Sequence, residues 1–212
     1  SFDLRHRFFA SVSYAIEFFD NSPTTFSFYY NYQSGRPYSY TVSGRVGGLD
    51  LNNDGFDGND LVYIPANESE ILLGAVTGGA YVPNAQMYTD LFAFIENDEY
   101  LSENKGKMSE RNGARAPWND VLDVRVAQAF STPIGQFQLS LDILNFMNLL
   151  NPDWGWYDTT PQDTYNLLSY RANDPATGRP VYSFTKPATN TATSPLDLAS
   201  RWQMQLGLRY SF

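Results

Sequence analysis

Cysteine is absent from the 212 residues and histidine occurs once, at His6. The first absence excludes a disulfide scaffold, thiol chemistry and cysteine-ligated zinc. The second leaves no imidazole pair for a metal, and a lone His beside Arg5 and Arg7 reads as a solvated or interfacial residue. No stretch approaches the roughly 18 uninterrupted apolar residues of a membrane-spanning helix, and the mean hydropathy is -0.38. The chain opens SFDLRHRFF, with no basic segment leading into an apolar run, so the start of the mature or longer protein is expected to lie elsewhere. Basic charge is scarce: 14 Lys and Arg stand against 23 Asp and Glu, for a net charge of -9. A phosphate backbone would be repelled, so no nucleic-acid partner is expected. Neither a Gly-x-Ser-x-Gly elbow nor a phosphate loop occurs, and no pattern sets one carboxylate apart as acid and another as base, so no catalytic residue is named and no enzyme is expected.

What the chain has is aromatic residues, at 16%, with 15 Tyr and 15 Phe, while charged residues reach only 17% against the roughly 25% of an average soluble domain. Many of these rings fall in segments of strict alternation, the pattern of a strand with unlike media on its two faces. Over 5–19, one side carries Phe8, Ala10, Val12, Tyr14, Ile16 and Phe18, the other mostly small or polar residues. The stretch 24–34 sets Phe26, Phe28, Tyr30 and Tyr32 against Ser27, Tyr29, Asn31 and Gln33. Three more strands follow at 120–130, where Gln128 interrupts the apolar face, at 137–146 and at 201–212. The connections alternate short and long: 20–23 and 131–136 are tight, whereas 35–119 and 147–200 are far longer than ordinary loops.

In outer-membrane barrels the periplasmic turns are short and the extracellular loops long. That rule places the two long connections outside the cell and Phe212 in the periplasm. The aromatics sort accordingly, with Phe8, Tyr32, Trp118, Phe146 and Trp202 at the outer strand ends. Phe18, Phe19, Phe26, Phe130, Phe137, Tyr210 and Phe212 fall at the inner ends, as interfacial girdles require. The expected fold is therefore all-β, an antiparallel transmembrane β-barrel segment with two long extracellular loops. Five strands cannot close a membrane barrel, for which about eight is the minimum, so further strands of the same or another chain are expected.

The first long connection contains LDLNNDGFDGNDLVYIP, where Asp50, Asn52 and Asp54 precede Gly55 at the spacing that opens an EF-hand loop. Position 12 of that pattern is Leu61 and not a bidentate Glu, which excludes an EF-hand. Two readings stay open: a non-helical Ca²⁺ loop completed by Asp57 or Asp60, and an Asn/Asp/Gly-rich surface turn that holds no ion. From Gly47 to Glu110 there are 12 Asp or Glu against 2 Lys, suited to cations or a basic peptide, or simply to a solvated loop. Arg111 and Arg115, ahead of Pro117 and Trp118, suit contact with lipopolysaccharide phosphates or the lining of a pore mouth, with anchoring this connection to the strand that follows as the expected role. The second connection reads as irregular, with no recognisable chemistry.

Five segments together carry a family resemblance: YNYQSGRPYSYT at 30–41, DLNNDGFDGNDLVYIP at 50–65, RNGARAPWNDVLDVRVAQAF at 111–130, LDILNFMNLLN at 141–151 and the closing LGLRYSF. The chain resembles the C-terminal portion of Oar-like TonB-dependent receptors of the Bacteroidetes type. The resemblance implies the last five strands of a 22-stranded barrel, plugged by an upstream domain and energised through TonB acting on an N-terminal box. It implies a role in active uptake of a nutrient such as a peptide or glycan. The implied partners are outer-membrane lipid, the remaining strands and plug, TonB, the barrel-assembly machinery and a surface lipoprotein. Leu206, Leu208, Tyr210 and Phe212 resemble the terminal signal read by that machinery. The competing expectation is a structural or adhesive outer-membrane barrel that binds partners through its loops without transport.

Overall fold

The computed structural model describes residues 3–44, 50, 55–56 and 59–212. Strands make up 51% of the protein and helix 16%, a mostly β chain with antiparallel sheets. In chain order the strands are β1 (Arg7–Phe19), β2 (Ser22–Gln33), β3 (Pro37–Ser43), β4 (Tyr63–Ile64), β5 (Leu72–Thr77), β6 (Ala80–Pro83), β7 (Lys107–Met108), β8 (Ala114–Arg115), β9 (Asn119–Thr132), β10 (Gly135–Leu144), β11 (Asp158–Thr159), β12 (Thr164–Asn173), β13 (Pro180–Ser183), β14 (Ser194–Pro195) and β15 (Gln203–Ser211). The helices are α1 (Ala85–Asn97), α2 (Glu99–Glu103), α3 (Phe146–Leu150) and α4 (Asp197–Ser200). The chain divides into two compact units.

One unit comprises Leu4–Gly35, Pro117–Thr159 and Pro195–Phe212. Its centre is a five-stranded antiparallel sheet in the order β1-β2-β9-β10-β15. The strands lie where alternation places 5–19, 24–34, 120–130, 137–146 and 201–212, and register explains why the alternation is so regular. Val12, Phe28, Val124, Ile143 and Met204 form one cross-strand row. The next row on that face is Tyr14, Phe26, Val126, Leu141 and Leu206. Because successive side chains point to opposite faces, the intervening row, Ser13, Ser27, Arg125, Asp142 and Gln205, lies wholly on the other side.

That second face is tied by polar side chains. Ser13 Oγ donates to Ser27 Oγ at 2.8 Å, Arg7 Nε donates to Asn31 Oδ1 at 2.6 Å, and Arg125 pairs with Asp142 at 3.0 Å. Gln128, the residue that interrupts the apolar run, stands between Thr24 and Leu139. Its carbonyl oxygen accepts from the Thr24 hydroxyl, and its amide donates to the Ser22 and Ala129 carbonyls at 2.9 and 2.7 Å. A polar group on an apolar face is tolerated when its bonds close locally.

Rings cluster at both ends of the sheet. At one end Trp118 stacks on Tyr32 at 4.7 Å and on His6 at 6.0 Å, with Phe8 beside Tyr32 at 6.4 Å. At the other, Tyr210 lies between Phe137 at 4.7 Å and Phe212 at 6.0 Å, its hydroxyl donating to the Ile134 carbonyl at 2.5 Å. Beyond β10 the chain turns at Asn145, whose φ of 52° lies in the left-handed region that Asn tolerates. Its amide donates to the carbonyls of Gly155 at 2.8 Å and Ser200 at 3.0 Å, while its backbone N–H donates to Asp123 Oδ1 at 2.9 Å. One buried side chain thus fixes both ends of the 146–200 connection at the rim.

The other unit comprises Ser1–Asp3, Arg36–Ala116 and Thr160–Ser194, so it is made almost entirely from the two long connections. The second connection, expected to be irregular, supplies β12 and β13 to a six-stranded mixed sheet in the order β6-β5-β13-β12-β3-β8. Two of its pairings, β12 with β3 and β13 with β5, are parallel, so these segments, expected as loops, form a sheet of their own. Thr41 donates to Asn166 at 2.6 Å and Ser43 meets Ser169 at 2.9 Å, side-chain bonds that hold the parallel register.

Helix α1 packs Leu91, Phe94 and Ile95 into this core, the i, i+3, i+4 stripe of an amphipathic helix. It starts at Asn84, whose side chain accepts from the backbone of Gln86 at 3.0 Å and Met87 at 3.2 Å. Arg115, expected to anchor the first connection, forms an ion pair with Asp3, immediately ahead of the β1 segment; Arg111 is exposed.

Gly74 marks the closest backbone approach in this unit. Its φ is 152°, and a Cβ there would stand 2.1 Å from the Val82 carbonyl oxygen on β6. Gly74→Ala is expected to destabilise the protein by about 2 kcal/mol or more, read as a lower thermal midpoint and faster proteolysis within 72–83 than in Gly78→Ala, where a Cβ meets open space.

Candidate functional site

The 36–116 and 160–194 segments enclose an apolar cleft of about 280 Å³. Val42 and Leu168 are register partners on β3 and β12 and, with Val62 and Ile71, form a buried floor. The walls are Tyr63 and Met108, paired across β4 and β7, together with Leu61, Pro180 and Tyr182. Tyr63 and Met108 are 39% and 55% exposed, large side chains held open to solvent at the mouth. Two charged residues complete the lining, Glu70 and Arg179.

Glu70 is fixed by its own turn. Asn67 caps the short helical turn Glu68–Glu70. Glu70 Oε2 accepts from the Ala66 backbone at 2.8 Å and the Tyr63 hydroxyl at 2.9 Å, and Oε1 accepts from the Asn67 amide at 2.7 Å. These donors, the Ala66 N–H first, hold its carboxyl below the usual carboxylate range, while the bond from the Tyr63 hydroxyl to Glu70 pushes the Tyr63 phenol up. Arg179 differs: its guanidinium donates to the Ser69 carbonyl at 3.0 Å and, among the described residues, meets no carboxylate within ion-pair distance.

An aromatic network shares the core with the cleft floor. Tyr40, fully buried, donates to Asp98 Oδ2 at 2.5 Å and lies 3.1 Å from the Tyr38 hydroxyl. Tyr100 stacks on it at 6.0 Å and Tyr165 meets it edge-on at 5.7 Å. Burial drives the Tyr40 phenol far above the ordinary tyrosine range, so it acts as a fixed donor and not as a base. A second hollow, of about 380 Å³ in the sheet unit, is lined by Trp118, Trp154, Trp156, Asp120, Asp153 and Asp158. Burial raises the Asp158 carboxyl.

Of the proposed calcium ligands, Asn52, Asp54 and Asp57 lie outside the described residues. Asp50 Oδ2 accepts from the Gly55 backbone at 2.8 Å. Asp60 is buried, and its carbonyl accepts from the Val42 N–H at 2.9 Å, joining that end of the motif to β3. Among the described residues no group of three or more His, Cys, Asp or Glu side chains converges as a metal site would require. Leu206, Leu208, Tyr210 and Phe212 lie exposed along β15 and just beyond it, at one edge of the five-stranded sheet.

Sequence reasoning missed the cleft because its lining comes from strands the long connections were not expected to form. The one available signal was YIPANESEI, in which Asn67 and Glu70 have the spacing of a capped turn. No family model, curated protein or solved structure matches the chain.

The Glu70 turn should respond to acid. A carboxyl held low in the folded state stabilises above its unfolded titration range and loses that contribution as pH falls through the folded value. Hydrogen-exchange protection of the Ala66 amide, corrected for intrinsic rate, is therefore expected to drop below the ordinary carboxylate range. In Glu70→Gln protection is expected to be low and flat with pH.

Proposed function

We propose that this chain is part of an outer-membrane β-barrel of the TonB-dependent-receptor type, taking part in active uptake of a nutrient such as a peptide or glycan. The supporting observation is the registered apolar face between two aromatic rows. From the Tyr32 row, which contains Asp120, to the Phe130 row there are ten residue steps along β9. At about 3.4 Å per residue and a tilt of about 40° this spans about 26 Å, close to the apolar band of about 25 Å in such barrels. Lipid would contact the Val124 and Val126 face, and the Arg125–Asp142 face would look into the lumen, where polar side chains belong.

In this reading the sheet is five neighbouring strands of a 22-stranded barrel, with a plug and a TonB box contributed from elsewhere. The unit built from the long connections faces the exterior, and the Leu206, Leu208, Tyr210 and Phe212 edge is offered to the assembly machinery. The transport role itself follows from the resemblance of the five motifs to Oar-like receptors.

Membrane fractionation with electrophoresis before and after boiling tests the barrel. The full protein is expected in the outer-membrane fraction with a heat-shifted band. Val126→Arg, at mid-span on the lipid side, should destabilise the folded barrel by about 2–4 kcal/mol and lower the heat-shifted fraction, whereas Thr25→Arg on the opposite face should be tolerated. Recovery in the soluble fraction, with the two variants indistinguishable, would sink the reading. Uptake that persists without TonB would remove the transport role and leave an adhesive barrel.

A further inference from the structure

We infer that the cleft lined by Tyr63, Met108, Tyr182 and Arg179 binds the C-terminal end of a short peptide whose last residue is apolar, its side chain on the Val42–Leu168 floor and its α-carboxylate on Arg179. This deepens the receptor reading by naming a substrate class, and it rests on that reading only for the claim that the bound peptide is then taken up.

Three features of the cleft converge on this chemistry. The floor is made of fully desolvated aliphatic side chains, so it rewards an apolar group and offers a polar one no partner. Among the described residues, the charged groups of the lining are Glu70 and Arg179, and they are unequal. Glu70 already accepts three hydrogen bonds from its own turn, which leaves little capacity for a ligand's ammonium. Arg179 is exposed, uses one nitrogen on the Ser69 carbonyl, and has no carboxylate at ion-pair distance among the described residues. A guanidinium with spare donors beside an apolar pocket selects a planar anion attached to an apolar group, because the fork of N–H donors matches a carboxylate. Arg179 is the one cation lining the cleft among the described residues, which makes it the point where a negative group is held.

Size separates a peptide end from a fatty acid. At about 280 Å³ the cleft lies just under the range of about 300–1,000 Å³ for drug-sized ligands. It admits one or two apolar side chains and not a long acyl chain. Met108 and Tyr63 at the mouth suit more than one side-chain shape, since an unbranched thioether adapts to what it touches. Leu, Met or Phe at the terminal position would each fit, whereas a terminal Asp or Lys would leave a charge on the aliphatic floor.

Calorimetry on the full protein in detergent tests this with the dipeptide Ala-Leu, its amide Ala-Leu-NH₂ and Ala-Asp as probes. Ala-Leu is expected to bind in the micromolar to millimolar range, with the amide and Ala-Asp each weaker by about tenfold or more. Arg179→Gln should lower Ala-Leu affinity to that of the amide while leaving amide binding unchanged. Met108→Glu, which places a like charge at the mouth, should weaken Ala-Leu more than the amide. Both positions are exposed, and unchanged near-ultraviolet dichroism checks that the variants fold. No heat from Ala-Leu at millimolar concentration, equal binding of the amide, or full affinity in Arg179→Gln would each overturn the assignment. Carboxylate-dependent binding by a protein that proves soluble would keep the cleft and discard the membrane reading.

Discussion

A strand whose two faces differ in polarity can pair in only half of the available registers, because a shift of one residue sends every side chain to the opposite face. The five-stranded sheet depends on that constraint. Four successive pairings, β1 with β2, β2 with β9, β9 with β10 and β10 with β15, keep the apolar residues of neighbouring strands on one face, with Gln128 and Asp120 as interruptions. If β9 slipped by one residue, Arg125 would stand in the row between Phe28 and Ile143, its bond to Asp142 broken. The polar face contributes to specificity as much as the apolar one does, since hydrogen bonds such as Ser13–Ser27 and Arg7–Asn31 form only in the observed register. The tight turn at Asn21, where φ is 55°, holds the first hairpin in that alignment.

In the unit formed by the long connections, register is set differently. Its parallel pairs join segments more than a hundred residues apart in sequence, so no turn aligns them. Alignment falls instead to side chains: Thr41 to Asn166, Ser43 to Ser169, and the Ser109 hydroxyl, which donates to the Tyr40 carbonyl at 2.8 Å and accepts from the Val62 N–H at 3.0 Å. Tyr40 sits where these constraints meet, because its ring packs the core and its hydroxyl closes on Asp98, whose other oxygen caps α2 through the Leu101 N–H at 2.9 Å. The cleft follows from this arrangement. The short β4–β7 pair is bound to β3 through the Tyr40 and Asp60 carbonyls, so Tyr63 and Met108 stand over the Val42–Leu168 floor.

The difference between the two mechanisms explains what could be read in advance. Alternation over ten or more residues is a local signal, and the five long strands carry it in their own sequence. The mixed sheet carries a weaker signal: β3 alternates Tyr38, Tyr40 and Val42 with Ser39, Thr41 and Ser43 but is only seven residues long, and the alternation of β12 is broken where its register shifts between Asn166 and Leu168. Helix α1 is legible in Asn84 and the Leu91, Phe94, Ile95 spacing, a capped stripe of helical period inside an acidic segment. Arg179 could not be singled out at all. Its significance is relational, a cation whose neighbours are Ser69 and Glu70, 109 to 110 positions earlier in the chain.

The sheet's exposed surfaces argue for the environment it is proposed to occupy. In water, Leu206 and Leu208, at 71% and 75% exposure, would belong to a continuous apolar face of the kind that drives association. In lipid that face is satisfied, but the unpaired backbone groups along the outer sides of β1 and β15 would each cost several kcal/mol, since hydrocarbon supplies no hydrogen bonds. In the proposed barrel, lipid against the apolar face and further strands on both edges would satisfy both demands together, and the Arg125–Asp142 face would meet a polar lumen. A soluble sandwich would solve the first problem by covering the apolar face with a second sheet. It would give no reason for Trp118, Tyr32 and His6 to gather at one end of the strands and Phe137, Tyr210 and Phe212 at the other.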